Sequence, residues 1–270
     1  MITILHSLLY RLKKDKLFYS LLAIFLIMPM ALVLRNYINK STIDSLLHIQ
    51  MFFISIPTTL FVSFYIGLEY SDGTIRNKIM IGKKRYSVYL SHWLFIMVLC
   101  FLLYIEYLFV ILCLGIPLLG AASVNALTIF YWIAIQIITI IALVSIFTFI
   151  SFICSSRIVA IIIEFLLSIA LIVVIILIIG RLSVPEYIET YQWNAVTGQM
   201  ELIKILNPNY PSSTERNLLI GILYILPTAF SFTILVGIPL NLGSIVIILI
   251  ALSGLCTGLG IFLFTRKDLK

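Results

Sequence analysis

Charged residues are scarce in this chain, and that scarcity limits the kinds of protein it can be. Asp, Glu, Lys and Arg together make up 11% of the 270 residues, whereas 62% are hydrophobic, and the mean hydropathy is +1.18. Soluble domains carry about 25% charged residues. The composition therefore excludes a soluble globular protein and predicts an integral membrane protein.

Residues that carry catalytic or metal chemistry are also few. The three histidines lie far apart in sequence, and the four cysteines form no CxxC pair. A phosphate-binding loop of the form GxxxxGK[ST] is missing, since the Gly82-Lys83 pair has Asn77 in place of the first glycine and Lys84 in place of Ser or Thr. We therefore expect no catalytic residue, metal site or cofactor in this chain, and expect any ATP and Mg²⁺ to be bound by a separate subunit.

Long apolar stretches are what the sequence has instead. A membrane-spanning helix needs about 20 mostly apolar residues. Six stretches meet this requirement: Leu17–Leu34, Leu46–Leu68, Trp93–Leu119, Leu127–Cys154, Ile158–Ile179 and Leu242–Phe264. The sequence thus predicts an all-α integral membrane protein, a single transmembrane domain over 1–270 with six spans.

A seventh apolar stretch, Leu218–Leu240, is interrupted by Pro227 and Pro239. With six spans and a cytoplasmic start, thirteen of the eighteen basic residues, Lys270 among them, lie inside the cell, as the positive-inside rule requires. A seventh crossing would move the last three of them outside. We therefore interpret Leu218–Leu240 as a re-entrant or interfacial hairpin within an external segment 180–241, with both ends of the chain cytoplasmic at the cell membrane.

The first sixteen residues combine a helical apolar pattern with a basic end. Ile4, Leu5, Leu8, Leu9 and Leu12 recur at helical spacing, and Arg11, Lys13 and Lys14 follow. This pattern is typical of an amphipathic helix that lies on the lipid bilayer. An equally weighted alternative is that the segment is only the flank of the first span. Since the basic residues lie at span edges and there is no soluble domain, we expect no binding to nucleic acid.

The most distinctive segment is the polar insert Glu69–Trp93 between the second and third spans, with its loop at 69–92. It carries five basic residues against two acidic ones. Side-chain oxygens of Asp72-Gly73-Thr74 before it and Gly82 after it predict a short helix over Ile75–Ile81. Ile75 and Ile79 share one face and should pack on the protein. Arg76, Asn77 and Lys78 remain for a partner or for lipid headgroups.

Two acidic residues fall inside spans, where charge is costly, so each is a functional candidate. Glu106 could line a substrate path or hold a proton, or be satisfied by Tyr104 and Tyr107. For Glu164 we favour an ion pair with Arg157 or a similar structural contact over a functional role. In the last span, Gly254 and Gly258 form a GxxxG motif that permits close helix approach.

The order of these features resembles the type-2 ATP-binding-cassette (ABC) exporter permeases. The likeness rests on the N-terminal helix, two spans, the run from Glu69 to Lys78, Gly82-Lys83-Lys84-Arg85, Tyr89-Leu90-Ser91, and Asn207-Pro208 before the last span. The external segment is longer and more apolar than a minimal connector, which departs from the pattern.

The resemblance implies that the short cytoplasmic helix is a coupling helix that inserts into an ABC ATPase subunit. Its contacts would be Gly73, Thr74, Ile75, Arg76, Asn77 and Lys78, and Glu69 would anchor the helix beneath the spans. It also implies a second permease chain, identical or paralogous, in a bacterial cell membrane. The expected function is ATP-driven export of an apolar or amphipathic substrate, such as a peptide or antimicrobial, with this chain acting as a transport subunit and not an enzyme.

A different class of function stays open from the residues alone. The chain could be a non-transporting sensor or assembly scaffold whose basic insert binds a soluble partner or anionic lipid. Such attachment would be indifferent to ATP and would weaken with salt.

Overall fold

The computed structural model describes residues 1–154, 156–194, 199–238 and 240–268 of the chain. Its elements in chain order are α1 Ile2–Leu12, α2 Lys16–Ile38, α3 Leu46–Ser71, α4 Thr74–Met80, α5 Arg85–Val110, α6 Ile116–Leu119, α7 Ala126–Ile153, α8 Arg157–Leu182, β1 Tyr187–Asn194, β2 Gln199–Leu206, α9 Ser213–Ile225, α10 Ala229–Val236 and α11 Leu242–Arg266. Lys270 and Pro239, which entered the topology argument, lie outside the described residues.

The structure confirms six helices long and apolar enough to cross a membrane. They are α2, α3, the run from α5 to α6, α7, α8 and α11. The third is longer than the sequence predicts, because helix begins at Arg85 and continues to Leu119 through a π-helical turn at Ile111–Gly115. Pro117 follows that turn and cannot donate a backbone hydrogen bond, which accounts for the local widening.

Helix α3 lies at the centre of the molecule. It packs against α5, α7 and α8, and Phe61, Val62, Tyr65 and Ile66 on it are fully buried. Its polar residues are accommodated because their hydroxyls bond to carbonyls one turn back, as Thr59 does to Ser55 at 3.0 Å. By contrast, α8 and α11 leave most of their apolar surface exposed, which suits helices at the edge of a membrane bundle.

The N-terminal segment forms a separate helix and not an extension of the first span. Helix α1 ends at Leu12, and the Asp15 carboxylate then accepts a hydrogen bond from the backbone N–H of Leu17 to begin α2. Ile4 and Leu8 are buried where α1 packs on α5. One face of α1 is thus held by the protein, and the other is exposed.

An antiparallel β-hairpin corrects the all-α prediction. Strands β1 and β2 pair in register from Tyr187 with Leu206 to Asn194 with Gln199. The sequence does contain a signal for it, since the two runs are rich in the aromatic and β-branched residues that favour strands. Tyr191 and Trp193 on β1 are exposed.

The stretch before the last span is broken into two short helices. Helix α9 has 13 residues and α10 has 8, and Pro227 lies in the turn between them. Their lengths of about 20 Å and about 12 Å are less than the ~30 Å of a hydrocarbon core. Helix α10 packs on α3 and α8, and Thr139 of α7 donates a hydrogen bond to the Pro227 carbonyl.

Candidate functional site

The segment between α3 and α5 reverses the chain twice around a short helix. Gly73 precedes α4 with φ of 67°, and Gly82 follows it with φ of 89°, both values that favour glycine. The predicted side-chain cap is wrong, because no side chain caps α4. The Thr74 hydroxyl instead donates to the backbone carbonyl of Glu69 at 3.2 Å. These two left-handed glycines fold α4 back against the ends of α3 and α5.

A buried charge cluster holds α4 in this position. Glu69, at the end of α3, is 3% exposed. The Lys78 ammonium donates to both of its carboxylate oxygens at 2.6 and 2.5 Å, and the Nε2 of His92 lies 2.9 Å from one of them. We call Glu69, Lys78 and His92 the anchor cluster. It joins three successive elements, α3, α4 and α5.

His92 is held through both of its ring nitrogens. Its Nδ1 lies 2.8 Å from the Val88 carbonyl on its own helix, and its Nε2 lies 2.9 Å from the Glu69 carboxylate. The same carboxylate pairs with the Lys78 ammonium, so the buried negative charge of Glu69 has an opposite partner, as burial requires.

The two faces of α4 have different roles. Ile75 is 1% exposed and Ile79 packs on the core, as the sequence predicts. On the outer side, Arg76 and Asn77 are exposed, and the apolar side chains of Met80 and Ile81 are 66% and 80% exposed. We call Arg76, Asn77, Met80 and Ile81 the α4 tip. Sequence reasoning missed Met80 and Ile81, which extend beyond the predicted contact residues.

The basic residues of the insert are less available than their number suggests. Lys78 is held by Glu69 and was wrongly grouped with the outward-facing side chains. Lys83 donates to the Thr3 hydroxyl at 3.2 Å. Arg85 donates to the carbonyls of Phe264 and Thr265 at 3.2 and 3.3 Å and also to that of Lys267. Much of the insert's charge therefore holds the fold together.

The Arg85 contacts belong to a reciprocal pair of helix caps. Arg85 satisfies carbonyls at the end of α11, and the Lys267 ammonium donates to the carbonyls of Phe152, Ile153 and Cys154 at the end of α7. Cations at helix C-termini are stabilising because unpaired carbonyls point there. Burial lowers the pKa of Lys267, an effect that the nearby Cys154 opposes.

Phe152 lies at the centre of this end of the molecule. Its ring is in contact with those of Tyr89, Phe264 and His92, at centroid distances of 4.7, 4.7 and 5.7 Å. The Tyr70 hydroxyl donates to its carbonyl at 3.0 Å. Since these residues belong to α3, α5, α7 and α11, Phe152 connects the anchor cluster to two further helices.

Glu106 lacks the tyrosine partners that its sequence neighbours suggest. Tyr104 donates to Gln136 and Tyr107 to the Leu46 carbonyl, each at 2.6 Å, so neither hydroxyl satisfies Glu106. Within the described residues, Oε2 of Glu106 is buried without a hydrogen-bond partner.

Glu164 does not form the ion pair that we favoured. It is fully buried on α8. The Arg157 guanidinium lies over the Phe64 ring instead, 5.5 Å from its centroid. Arg157 also packs its aliphatic carbons against Gly67 of the neighbouring helix α3.

The glycines of α11 also differ from expectation. Gly254 and Gly258 are exposed, and a methyl group at either would have open space around it. Within one chain they therefore bring no helix close, contrary to the GxxxG prediction. Gly260 has that role, because a Cβ there would collide with the hydroxyl and ring of Tyr89.

No metal centre is visible in the part of the chain that the structure describes, where no three His, Cys, Asp or Glu side chains group together. The four cysteines are free thiols. Within the described residues, the site consists of an exposed helix tip and a buried anchor of charged side chains. No protein-family model matches the chain, and no curated protein matches its sequence.

Proposed function

We propose that this chain is the permease subunit of an ATP-driven exporter of the type-2 ABC kind, which moves an apolar or amphipathic substrate such as a peptide out of the cell. A separate ATPase subunit would bind ATP and Mg²⁺. The observation that carries the proposal is the α4 tip, an exposed apolar and basic surface that buried charges fasten to the spans.

The composition of the α4 tip favours a protein cleft as its occupant. Met80 and Ile81 are large apolar side chains exposed together at the end of a short helix, and Arg76 lies beside them. Met adapts its shape to a partner, and Arg is enriched at interface centres. A seven-residue helix is unstable alone, so its shape depends on the contacts that hold it.

The anchor cluster supports a mechanical role for α4. A force on the tip reaches α3 through Glu69 and α5 through His92, and passes to α7 and α11 through Phe152. Contiguous packed side chains of this kind can link two discrete arrangements of a helix bundle. ATP-driven closure of the partner subunits would thus move the spans between inward-facing and outward-facing states.

A second permease chain would complete the pathway. Glu106 lies on α5 beside the exposed apolar residues Leu102, Ile105 and Phe109. A carboxylate on such a face is costly against lipid alone. The exposed Gly254 and Gly258 on α11 offer a further surface for close approach by another chain.

The scaffold alternative receives less support. Electrostatic attachment depends on free cations, and three of the five basic residues of the insert, Lys78, Lys83 and Arg85, are already bound within the chain. A purely electrostatic contact would also leave the apolar side chains of Met80 and Ile81 exposed to water.

A photo-cross-linker at the tip tests the proposal. Benzoylphenylalanine would replace Met80 in one variant and Tyr131, an exposed residue on α7 far along the chain, in the control. Irradiation of native membranes should join the Met80 variant, and not the Tyr131 variant, to an ATPase with a phosphate-binding loop. Adducts with lipid alone at position 80 would refute the proposal.

A further inference from the structure

A cavity with both polar and apolar lining residues lies at the other end of α3 from the anchor cluster. His48 and Glu69 are 21 residues apart on this helix, which corresponds to about 32 Å. The cavity has a volume of about 350 Å³ and lies between the first turns of α3 and α7, the loop before α7, and α10. Its lining includes Asp44, His48, Ser123, Trp132, Ile234 and Leu235.

A buried hydrogen-bond network fixes the tautomer of His48. The side-chain nitrogen of Gln136 lies 2.9 Å from the Leu47 carbonyl, which identifies it as the amide NH₂. The same nitrogen is 3.1 Å from the Nδ1 of His48, so Nδ1 accepts and the ring proton is on Nε2. His48 is 1% exposed, and within the described residues its Nε2 has no partner. A buried N–H donor in the wall of this cavity therefore lacks an acceptor, which is costly.

Asp44 supplies a negative charge at the rim of the same cavity. Ser123 donates to its carboxylate through the backbone N–H at 3.1 Å and through the hydroxyl at 2.5 Å. These two bonds fix the orientation of the carboxylate. Among the described residues it forms no ion pair, so the rim is complementary to a cation.

The level of the cavity along the spans indicates where its ligand comes from. Helices α3 and α7 are 26 and 28 residues long, more than the ~20 needed to cross the hydrocarbon core, so their first turns reach the headgroup zone. Trp132, whose ring meets that of His48 edge-on at 4.3 Å, is typical of this zone. The apolar side chains of Ile234 and Leu235 form another part of the lining, and Leu235 is partly exposed.

We propose that this cavity binds the headgroup of an aminophospholipid. The lipid ammonium pairs with Asp44, a phosphoryl oxygen accepts the proton of His48 Nε2–H, and the acyl chain leaves along Ile234 and Leu235. A zwitterionic headgroup matches the site because it carries the cation that Asp44 lacks and the acceptor that His48 lacks. This assignment does not depend on the exporter function.

Native mass spectrometry of the purified full chain in detergent tests the proposal with two lipids. Lysophosphatidylethanolamine has both required groups, whereas lysophosphatidylglycerol has the phosphate without the ammonium. We expect one ethanolamine lipid to bind saturably, at least tenfold tighter than the glycerol lipid. Equal affinity for the two lipids, or no saturable binding, would overturn the assignment.

Variants locate the binding within the cavity. His48→Phe removes the donor and Asp44→Asn removes the charge, and each should weaken binding of the ethanolamine lipid at least tenfold. His48→Gln keeps an N–H of similar reach and should bind within about threefold of the unaltered chain. His6→Phe and Asp72→Asn are matched controls at exposed positions and should change nothing.

Loss of binding must be distinguished from loss of folding in these variants. A melting temperature within a few degrees of the unaltered chain shows that a variant is folded, and if His48→Phe fails this criterion, Asp44→Asn and the lipid comparison still decide. Unchanged lipid affinity in Asp44→Asn would overturn the proposal. So would binding of a short apolar peptide with a free N-terminus when neither lipid binds, since the ligand would then be a peptide.

Discussion

Glu69 is the residue on which the position of α4 depends most. Glu69→Gln leaves the Lys78 ammonium without its counter-charge and removes the carboxylate that His92 contacts. Breaking a buried pair in this way costs about 3–5 kcal/mol. We expect a clear fall in the melting temperature of the detergent-purified chain. Asp72→Asn, an exposed acid three positions along, should leave it unchanged, and equal effects of the two variants would contradict the anchor role.

Gly260 and Gly258 offer a matched pair on α11. An added methyl at 260 would meet the hydroxyl and ring of the buried Tyr89, whereas one at 258 meets nothing within 4 Å. Overpacking a closed core costs about 1–3 kcal/mol. Gly260→Ala should therefore lower thermal stability and Gly258→Ala should not. Destabilisation by Gly258→Ala that depends on protein concentration would instead reveal a contact between chains.

The anchor residues differ in how far the sequence could reveal them. Glu69 was named because the resemblance to type-2 ABC exporter permeases implies that it anchors the short helix beneath the spans. His92 lies 23 residues later, and its contact exists only because the two left-handed glycines fold the chain back. Lys78 was assigned to the outer face because helical spacing predicts only the direction in which a side chain leaves the helix. The long side chain of Lys78 bends back, so that its ammonium group reaches Glu69.

At the scale of elements, the C-terminal caps link α5, α7 and α11. Lys267→Met removes three hydrogen bonds to the end of α7 while keeping a side chain of similar length. We expect faster amide hydrogen exchange in the last turn of α7, by about tenfold, which corresponds to about 1.4 kcal/mol of local stability. Arg266→Met, at the exposed neighbouring position, is the control and should leave α7 protected.

The ion pair between Arg181 and Glu215 makes the junction of α8 and α9 sensitive to pH. The guanidinium lies 2.8 Å from the carboxylate and holds the pKa of Glu215 below its usual range. A carboxyl group whose pKa is lowered in the folded state stabilises that state at pH values above the ordinary pKa of glutamate. This stabilisation is lost as the pH falls through the lowered pKa. Exchange protection of α9, corrected for intrinsic rate, should therefore fall in acid. Glu215→Gln should remove this pH dependence, and its persistence in the variant would refute the assignment.

Helices and strands could be predicted from the sequence where a single strong pattern, such as a long apolar stretch, is sufficient. The six long helices follow from apolar length alone, because the bilayer sets the number of residues needed. The hairpin at β1 and β2 was missed because its strands lie between two predicted spans, where the alternation of apolar and polar residues is weak and each strand depends on pairing with the other. The start of α5 at Arg85 was also missed, since helix continues past the apolar stretch to reach the α11 cap.

At the scale of the whole molecule, the features behind the two proposals lie about one membrane thickness apart along α3. The α4 tip and its anchor lie at one end, and the cavity of Asp44 and His48 lies at the other. Helix α3 contributes to both and is the most buried of the spans. If α4 moves as we propose, we expect α3 to carry the change to the opposite end, because it packs against α5, α7 and α8.

Hydrogen exchange of the chain together with the ATPase subunit that we propose as its partner, with and without ATP and vanadate, tests the central claim most directly. The account predicts that trapping changes exchange both at 74–80 and at 40–48 at the far end of α3. In Glu69→Gln, the change should remain at 74–80 and disappear at 40–48, because the tip is no longer fastened to the spans. A far-end response that is unaltered in Glu69→Gln, or absent from the unaltered chain, would contradict the coupling role of the anchor cluster.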